Sequence, residues 1–481
     1  MSTQQGYFTV EEVRAAEAEL FTRVPEGVPM RRAAYGLATV VAGELAERTG
    51  GIAGRAVTLL VGSGDNGGDV LWAGAQLRRR GVAVTAVLLY PERAHVKGLA
   101  ALRKAGGRVS DQVGRPDLVI DGIVGLSGRG PLRPGAAELV ATLDAPIVAA
   151  DLPSGVDPDT GAIDGPAVRA DVTVTFGARK PVHALAAAQC GRIELVPIGL
   201  RLPEPGLVAV EPAAIGAGWP IQGAADDKYT GGVTGVCAGS ARYPGAAVLC
   251  VGAAVAATSG MVRYAGTAAG EVLHHFPEVI ATQRLADAGR VQSWVFGPGA
   301  GTDADARQRL ADILATDLPV VVDADGLTML AAAPELVRAR RAPTVLTPHA
   351  GEFTRLTGRA VGADRVAAVR DLADSWQVTV LLKGRATLVA APGHPVVVNE
   401  AGGSWAATAG AGDVLSGIIG ALLAAGNDPV WAAAAAARVH ALAADLAAHH
   451  DAPAGAPISA GRLAARISSA IGVLRYRARS C

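Results

Sequence analysis

Net charge is what this sequence most plainly lacks: 44 Lys and Arg are balanced by 44 Asp and Glu over 481 residues. The balance excludes the electrostatic footprint of a nucleic-acid binder or a polybasic membrane anchor. It favours a small neutral-to-anionic metabolite held by local features. Cysteine is scarce too, and Cys190, Cys237, Cys250 and Cys481 stand far apart with no CxxC pair. That argues against a zinc knuckle or a disulfide framework, and for reduced thiols in a cytosol. No HExxH spacing occurs, and His274 with His275 or His449 with His450 offer no metal-ligand spacing, so no transition metal is expected. The opening MSTQQGYFTVEEVRAAEAEL has acidic residues and no apolar core, unlike a secretory signal, so a cytoplasmic location is expected. No membrane partner is expected either. The most membrane-like stretch, Gly245 to Ala257, falls short of the ~20 apolar residues a span needs and reads as a buried helix.

What is present is core material: 50% hydrophobic and 18% charged residues, enough for a globular chain longer than one core usually organises. The runs RAVTLLVG, VAVTAVLLY, DLVIDGIVG, PIVAADLPSG, DVTVTFG and RIELVPIG read as buried strands. A helix-like VLWAGAQLRRR lies between the first two, giving a βαβ unit and an α/β layered domain. Residues 202–226, rich in Pro, Gly and Ala, lose periodicity as a connector would. The domains are therefore drawn as 1–205 and 227–481, with 206–226 as the linker. In the second, GVTGVCAG, SWVFGPG, PVVVDADG, PTVLTP and VTVLLKG alternate with Ala- and Leu-rich helical segments, predicting another largely parallel sheet.

Polar strand ends supply the first candidate site. The Gly-rich GSGDNGGD (Gly62 to Asp69) sits between strand and helix, where backbone amides can meet phosphate oxygens. Asp121, GLSGRGP (Gly125 to Pro131) and DLPSG (Asp151 to Gly155) should emerge at the same sheet edge. The order of TVEEVRAAE, DNGGD, VIDGIVGLSGRGP, DLPSGVD and TFGARKP resembles the NAD(P)H-hydrate epimerase family over most of residues 8–200. The resemblance implies a Rossmann-like three-layer domain. It implies that Asp65, Asn66, Gly67, Gly68 and Asp69, together with Gly125, Leu126, Ser127, Gly128, Arg129, Gly130 and Pro131, hold the dinucleotide. It further implies that Asp151 contacts the nicotinamide-derived ring and that Asn66, Asp121 and Ser154 give oxygens to a potassium ion. Asp65 stands where the family typically has Asn, and Val70 where it typically has Gly. Asp151 is the preferred acid/base residue and Lys180 the second candidate, a solvated surface lysine being the alternative for Lys180.

The second candidate site centres on AGAGDVLSGIIGALLAAG, Ala409 to Gly426, a small-residue turn opening into an apolar helix. Its amides can stabilise developing phosphate charge, and Asp413 in the first turn can accept a hydroxyl proton; helix capping is its alternative role. The turn resembles the ribokinase-like superfamily, most members of which carry Asn-x-x-Glu in a loop that helps organise magnesium. In LTPHAGEF, His349 replaces that Asn while Glu352 remains. With DKYTGG, GSARYPGAA, GPGAG, VVDADGL and LLKGRATLVA in order, residues 227–426 resemble the NAD(P)H-hydrate dehydratase branch; Asp227 stands where the family often has His. The resemblance implies that Lys383, Gly384, Arg385, Ala386, Thr387 and Gly412 contact ADP or AMP, and that Ala247, Gly299, His349 and Asp413 face the hydrated dinucleotide.

Together the two resemblances imply epimerisation of R and S forms of NADHX and NADPHX, then dehydration of the S form with ADP as co-substrate, and a homo-oligomer. The alternative kept open is a small-molecule kinase fused to a non-catalytic dinucleotide-binding or interaction domain.

Overall fold

The computed structural model describes residues 3–258 and 260–480; Cys481 lies outside them. Two compact units emerge, one from Gly6 to Leu207 and one from Val208 onward that also takes in the chain up to Gln5. The expected linker is folded. Leu207–Val210 is a strand and Pro212–Gly218 a helix. Between prolines these elements last only four and seven residues, too short for periodicity to register.

The first unit is a parallel seven-stranded sheet in the spatial order Arg108–Ser110, Ala83–Leu88, Ala56–Val61, Leu118–Gly122, Ile147–Ala150, Val172–Phe176, Arg192–Val196. Only Arg108–Ser110, three residues long with Arg108 and Ser110 polar, escaped the apolar pattern. Side chains alternate across the sheet. Leu59 and Val61 pack with helices Val28–Thr49 and Asp65–Arg79 on one face, and Leu60 packs with helix Pro134–Ala141 on the other, giving three layers. Strand order reverses between Ala56–Val61 and Leu118–Gly122, the place where such sheets open a crevice at their carboxyl ends. The helix after Ala56–Val61 begins at Asp65 rather than at Val70, as the apolar pattern suggests. Gly64, at φ 106°, turns the chain straight into it, and a Cβ on Gly67 would lie 2.5 Å from the Gly62 carbonyl oxygen.

The second unit holds an eleven-stranded sheet. Seven strands are parallel: Ile280–Thr282, Met261–Ala265, Val233–Cys237, Ser293–Phe296, Val320–Val322, Thr344–Leu346 and Thr379–Leu382. Ala386–Ala390 and Val396–Glu400 then run antiparallel, and Leu207–Val210 and Gln4–Tyr7 finish that edge. Helices Pro244–Thr258, Ala411–Ala424 and Pro429–Ala448 build the core. Pro244–Thr258 is the expected helix of the Gly245–Ala257 stretch. It lies so close to its neighbour that a Cβ on Gly417 would be 2.2 Å from the Cys250 carbonyl oxygen. Pro429–Ala448 is long and apolar enough to cross a membrane, but 72% of its apolar window is buried within the protein, as in a core helix.

Candidate active sites

At the carboxyl edge of the first sheet, Asp151 follows strand Ile147–Ala150 with φ 67°, a left-handed conformation unusual for any residue but Gly. Lys180 Nζ is ion-paired with Asp151 Oδ1 and donates to Thr175 Oγ1 at 2.9 Å and the Phe176 carbonyl at 3.2 Å. Lys180 is 1% exposed, so the solvated-lysine alternative is overturned: three acceptors replace the water it has lost. His183, which the sequence reading did not single out, joins the pair. Its Nδ1 accepts from the Lys180 backbone N–H at 2.9 Å, so its Nε2 carries the proton and donates to the Asp151 carbonyl at 2.9 Å. Burial, reinforced by Lys180, pushes His183 down to about 3, so it stays neutral. The signal was the K-P-x-H spacing after Val172–Phe176.

Asn66, Asp121 and Ser154 do converge. Asp121 Oδ1 accepts from Ser154 Oγ at 2.7 Å and Ile123 N at 3.1 Å, while Oδ2 accepts from Ser154 N at 2.8 Å. Asn66 Nδ2 donates to the Val124 carbonyl at 3.0 Å, and Ser154 Oγ accepts from Val124 N at 3.0 Å. Among the described residues Asn66 Oδ1 is left buried without a hydrogen-bond partner. Burial pushes Asp121 up to about 6 despite the Ser154 and Ile123 hydrogen bonds. An orphaned amide oxygen beside a buried carboxylate and a hydroxyl is a donor set that fits a hard monovalent cation.

The two departures from the family pattern fall differently. Val70 is buried in the core, where Gly122 makes room: a Cβ there would meet Val70 Cγ2 at 2.4 Å. Asp65 is exposed in the first helical turn. Asp69 is buried, and desolvation together with Asp151, Asp65 and Glu17 holds its proton well above the usual carboxylate range. The Gly125–Pro131 loop is largely exposed, with Arg129 Nη2 3.4 Å from Asp159 Oδ2.

In the second unit, Asp413 lies in the first turn of Ala411–Ala424 behind a Gly410 N-cap that makes no side-chain cap bond. Burial and the neighbouring Asp323 raise Asp413 to about 7, against the pull of Lys383. Lys383 Nζ is 2.7 Å from Asp323 Oδ1 and 3.8 Å from Glu352 Oε2. Ser416 Oγ donates to Asp323 Oδ2 at 2.8 Å. Asp323 and Ser416 were missed; the signal was the Asp closing the VVVD strand in VVDADGL. A Cβ on Gly412 would stand 3.3 Å from Lys383 Nζ, so Gly412 belongs to the same cluster. His349 caps helix Ala350–Thr357, its Nδ1 accepting from Gly351 N and Glu352 N, while Glu352 Oε2 accepts from His349 N at 2.8 Å. Its ring is 59% exposed and free to meet a ligand.

Other positions sit less directly. Arg385 pairs with Glu400 at 3.1 Å, and Thr387 Oγ1 donates to the Gly384 carbonyl. Ala386 and Thr387 are strand residues, and Arg365 Nη1 donates to the Ala386 carbonyl at 2.9 Å. Ala247 is fully buried beneath Gly239, so its side chain faces no ligand. Gly299, at φ 60°, packs over Tyr243 and Ala246. Among the described residues no three His, Cys, Asp or Glu converge as a protein-held metal site. Magnesium held through nucleotide phosphates and one or two carboxylates, its common mode of binding, needs no such cluster.

Fold and sites define a two-module α/β protein, a dinucleotide-type sheet followed by a nucleotide-type sheet, each with a Lys–Asp ion pair at its site. The family described as YjeF-related protein N-terminus matches residues 27–182, and the NAD(P)H-hydrate dehydratase family matches 234–466. A bifunctional NAD(P)H-hydrate repair enzyme of Mycobacterium leprae (strain TN) is 61% identical over 472 residues, spanning 97% of this chain and 99% of its own. Its counterpart in Corynebacterium glutamicum is 39% identical, with 87% of each chain covered. A ribokinase-like superfamily protein of Enterococcus faecalis V583 superposes with TM-score 0.50 at 20% identity, over 57% of this chain and 98% of its own, which shows the fold of the second unit. The chain belongs to the bifunctional NAD(P)H-hydrate repair enzymes.

Proposed function

We propose that this chain restores hydrated NADH and NADPH in the cytoplasm, the first unit interconverting R and S epimers and the second dehydrating the S epimer at the expense of ADP. The observation that carries the reading is Asp413: a carboxylate with an elevated proton affinity, at a helix start, beside a half-buried Lys383. Hydration leaves a hydroxyl on the carbon beside the ring nitrogen. Asp413 takes the proton of that hydroxyl as phosphate is transferred to it. The amides of the Ala411–Ala424 turn, with Lys383, bear the developing charge. The transfer leaves AMP and turns the poor leaving group into phosphate, whose elimination with a proton from the adjacent ring carbon restores the ring double bond.

Lys383, Gly384, Arg385, Ala386, Thr387 and Gly412 form the ADP subsite, and His349, Gly299 and the Ala247 backbone border the dinucleotide. Bound magnesium would neutralise phosphate charge. In the first unit the amides of Asp65–Asp69 and the Gly125–Pro131 loop hold the dinucleotide, and Asp151 with Lys180 works at the ring. Asn66, Asp121 and Ser154 would hold potassium, whose charge would offset that of the buried Asp121 carboxylate.

The test supplies mixed NADHX epimers and ADP and follows NADH absorbance. Recovery of both epimers is expected. Recovery of the S fraction alone removes the epimerase reading, and a stable phosphorylated product without NADH replaces repair by a kinase.

A further inference from the structure

Glu17 stands on helix Val10–Arg23, which opens with a capping box between Thr9 and Glu12. Val10, Val13 and Glu17 follow the i, i+3, i+7 spacing and so share one helix face. That face is tied to the site at three points. Phe8 N donates to the Arg179 carbonyl at 2.8 Å, and Val10 N donates to Asp159 Oδ1 at 2.8 Å. Val13 packs with Phe8 and Ala178, alongside Leu126 of the Gly125–Pro131 loop. One turn beyond Val13, the half-buried Glu17 lies within electrostatic reach of Asp151 and Lys180, and among the described residues its side chain makes no hydrogen bond or ion pair.

Resting on the epimerase reading above, we propose that Glu17 is the second proton-handling residue of that site, the general acid that works with the Asp151–Lys180 pair to exchange the substrate hydroxyl between the two faces of the ring. The chemistry needs two groups in opposite protonation states. The C–O bond breaks as the ring nitrogen's lone pair forms a C=N bond, and the Glu17 proton leaves with the oxygen as water. A water then adds to the same carbon on the other face, closing the C=N pair back onto nitrogen and giving its proton to Asp151. The proton returns to Glu17 through solvent, so nothing is oxidised or consumed. Asp151, ion-paired with Lys180, enters as the base.

The groups around Glu17 favour its protonated form more than water would. Burial raises its proton affinity, the carboxylates of Asp151 and Asp65 raise it further, and Lys180 and Arg14 pull the other way. Environments that push two acids apart in this manner are how one site hosts both an acid and a base. Asp69 senses Glu17 as well, from the second turn of Asp65–Arg79.

The test uses the full chain and purified R epimer, with R-to-S conversion followed directly and circular dichroism with chemical denaturation of each preparation as the check that the first unit is folded. Glu17→Gln keeps shape and loses the proton. It should lower kcat by about 10²-fold or more with KM within about twofold, and abolish the decline of rate at alkaline pH. Glu17→Asp should recover about tenfold of the loss and restore that decline. A Glu17→Gln enzyme that epimerises at the wild-type rate, or that slows but keeps the alkaline decline, overturns the proposal. A wild-type chain that fails to convert the R epimer at all refutes the epimerase reading instead.

Discussion

Lys180 in the first unit and Lys383 in the second are both drawn out of water and both ion-paired, yet they hold different partners. Lys180 holds Asp151, the residue proposed to act on the ring, and three further groups fix that pair. Lys383 holds Asp323, and Asp413 one helix away is left with its proton affinity raised to about 7. Lys383 itself keeps a raised affinity: burial works against its charge, and Asp323 and Glu352 outweigh it. One arrangement pairs the working carboxylate directly with the buried lysine. The other spends the lysine on a neighbour so that the working carboxylate can take up a proton near neutral pH. Direct contact with the lysine thus separates Asp151 from Asp413, whose proton affinity is raised by burial and by Asp323.

Removing the lysine should separate the two sites most sharply. Lys180→Met strands Asp151 as a buried charge and should cost about 3–5 kcal/mol in chemical denaturation of the first unit. Adding Asp151→Asn should restore most of that loss. An Asp151→Asn background that restores nothing would mean that Lys180 stabilises through packing alone.

Asp413→Asn should lower S-epimer dehydration by ~10²-fold or more while leaving folding and R-to-S conversion intact. Near-normal NADH recovery by a folded variant would take Asp413 out of the mechanism. Because the base must be ionised, kcat/KM for dehydration should fall as pH drops through about 7, the value of Asp413. Asp323→Asn removes the neighbouring charge and frees Lys383 to attract Asp413, and both changes move that midpoint to lower pH. An unmoved midpoint contradicts the assignment.

The smallest effect concerns the cation. Potassium at ten times its dissociation constant should stabilise the first unit by about 1.4 kcal/mol, and Asn66→Ala should abolish that gain without changing S-epimer dehydration. Equal slowing of both reactions would undo the independence of the units.

These comparisons also show where the sequence was readable. Glycine clusters and lone acids at the ends of apolar runs are local, so DNGGD, Asp121, Asp151 and Asp413 stood out beside the strands that carry them. Partnerships made by the fold were not local. Lys180 and Asp151 are 29 residues apart, Lys383 and Asp323 are 60, and Ser416 and Asp323 are 93. Nothing in the ARKP or VVDADGL segments says which cation is buried or whom it meets. The strands Met261–Ala265 and Ile280–Thr282 and the hairpin Ala386–Ala390 with Val396–Glu400 were likewise missed. They are short and broken by polar residues, and gain their order from pairing in the sheet.

The division of labour between the two sites is tested most directly by giving purified R-NADHX and ADP to the full chain and quantifying NADH, AMP and phosphate together. All the R epimer should become NADH, with one AMP and one phosphate appearing for each. NADH rising without AMP, or R epimer persisting while added S epimer is consumed, would contradict the account.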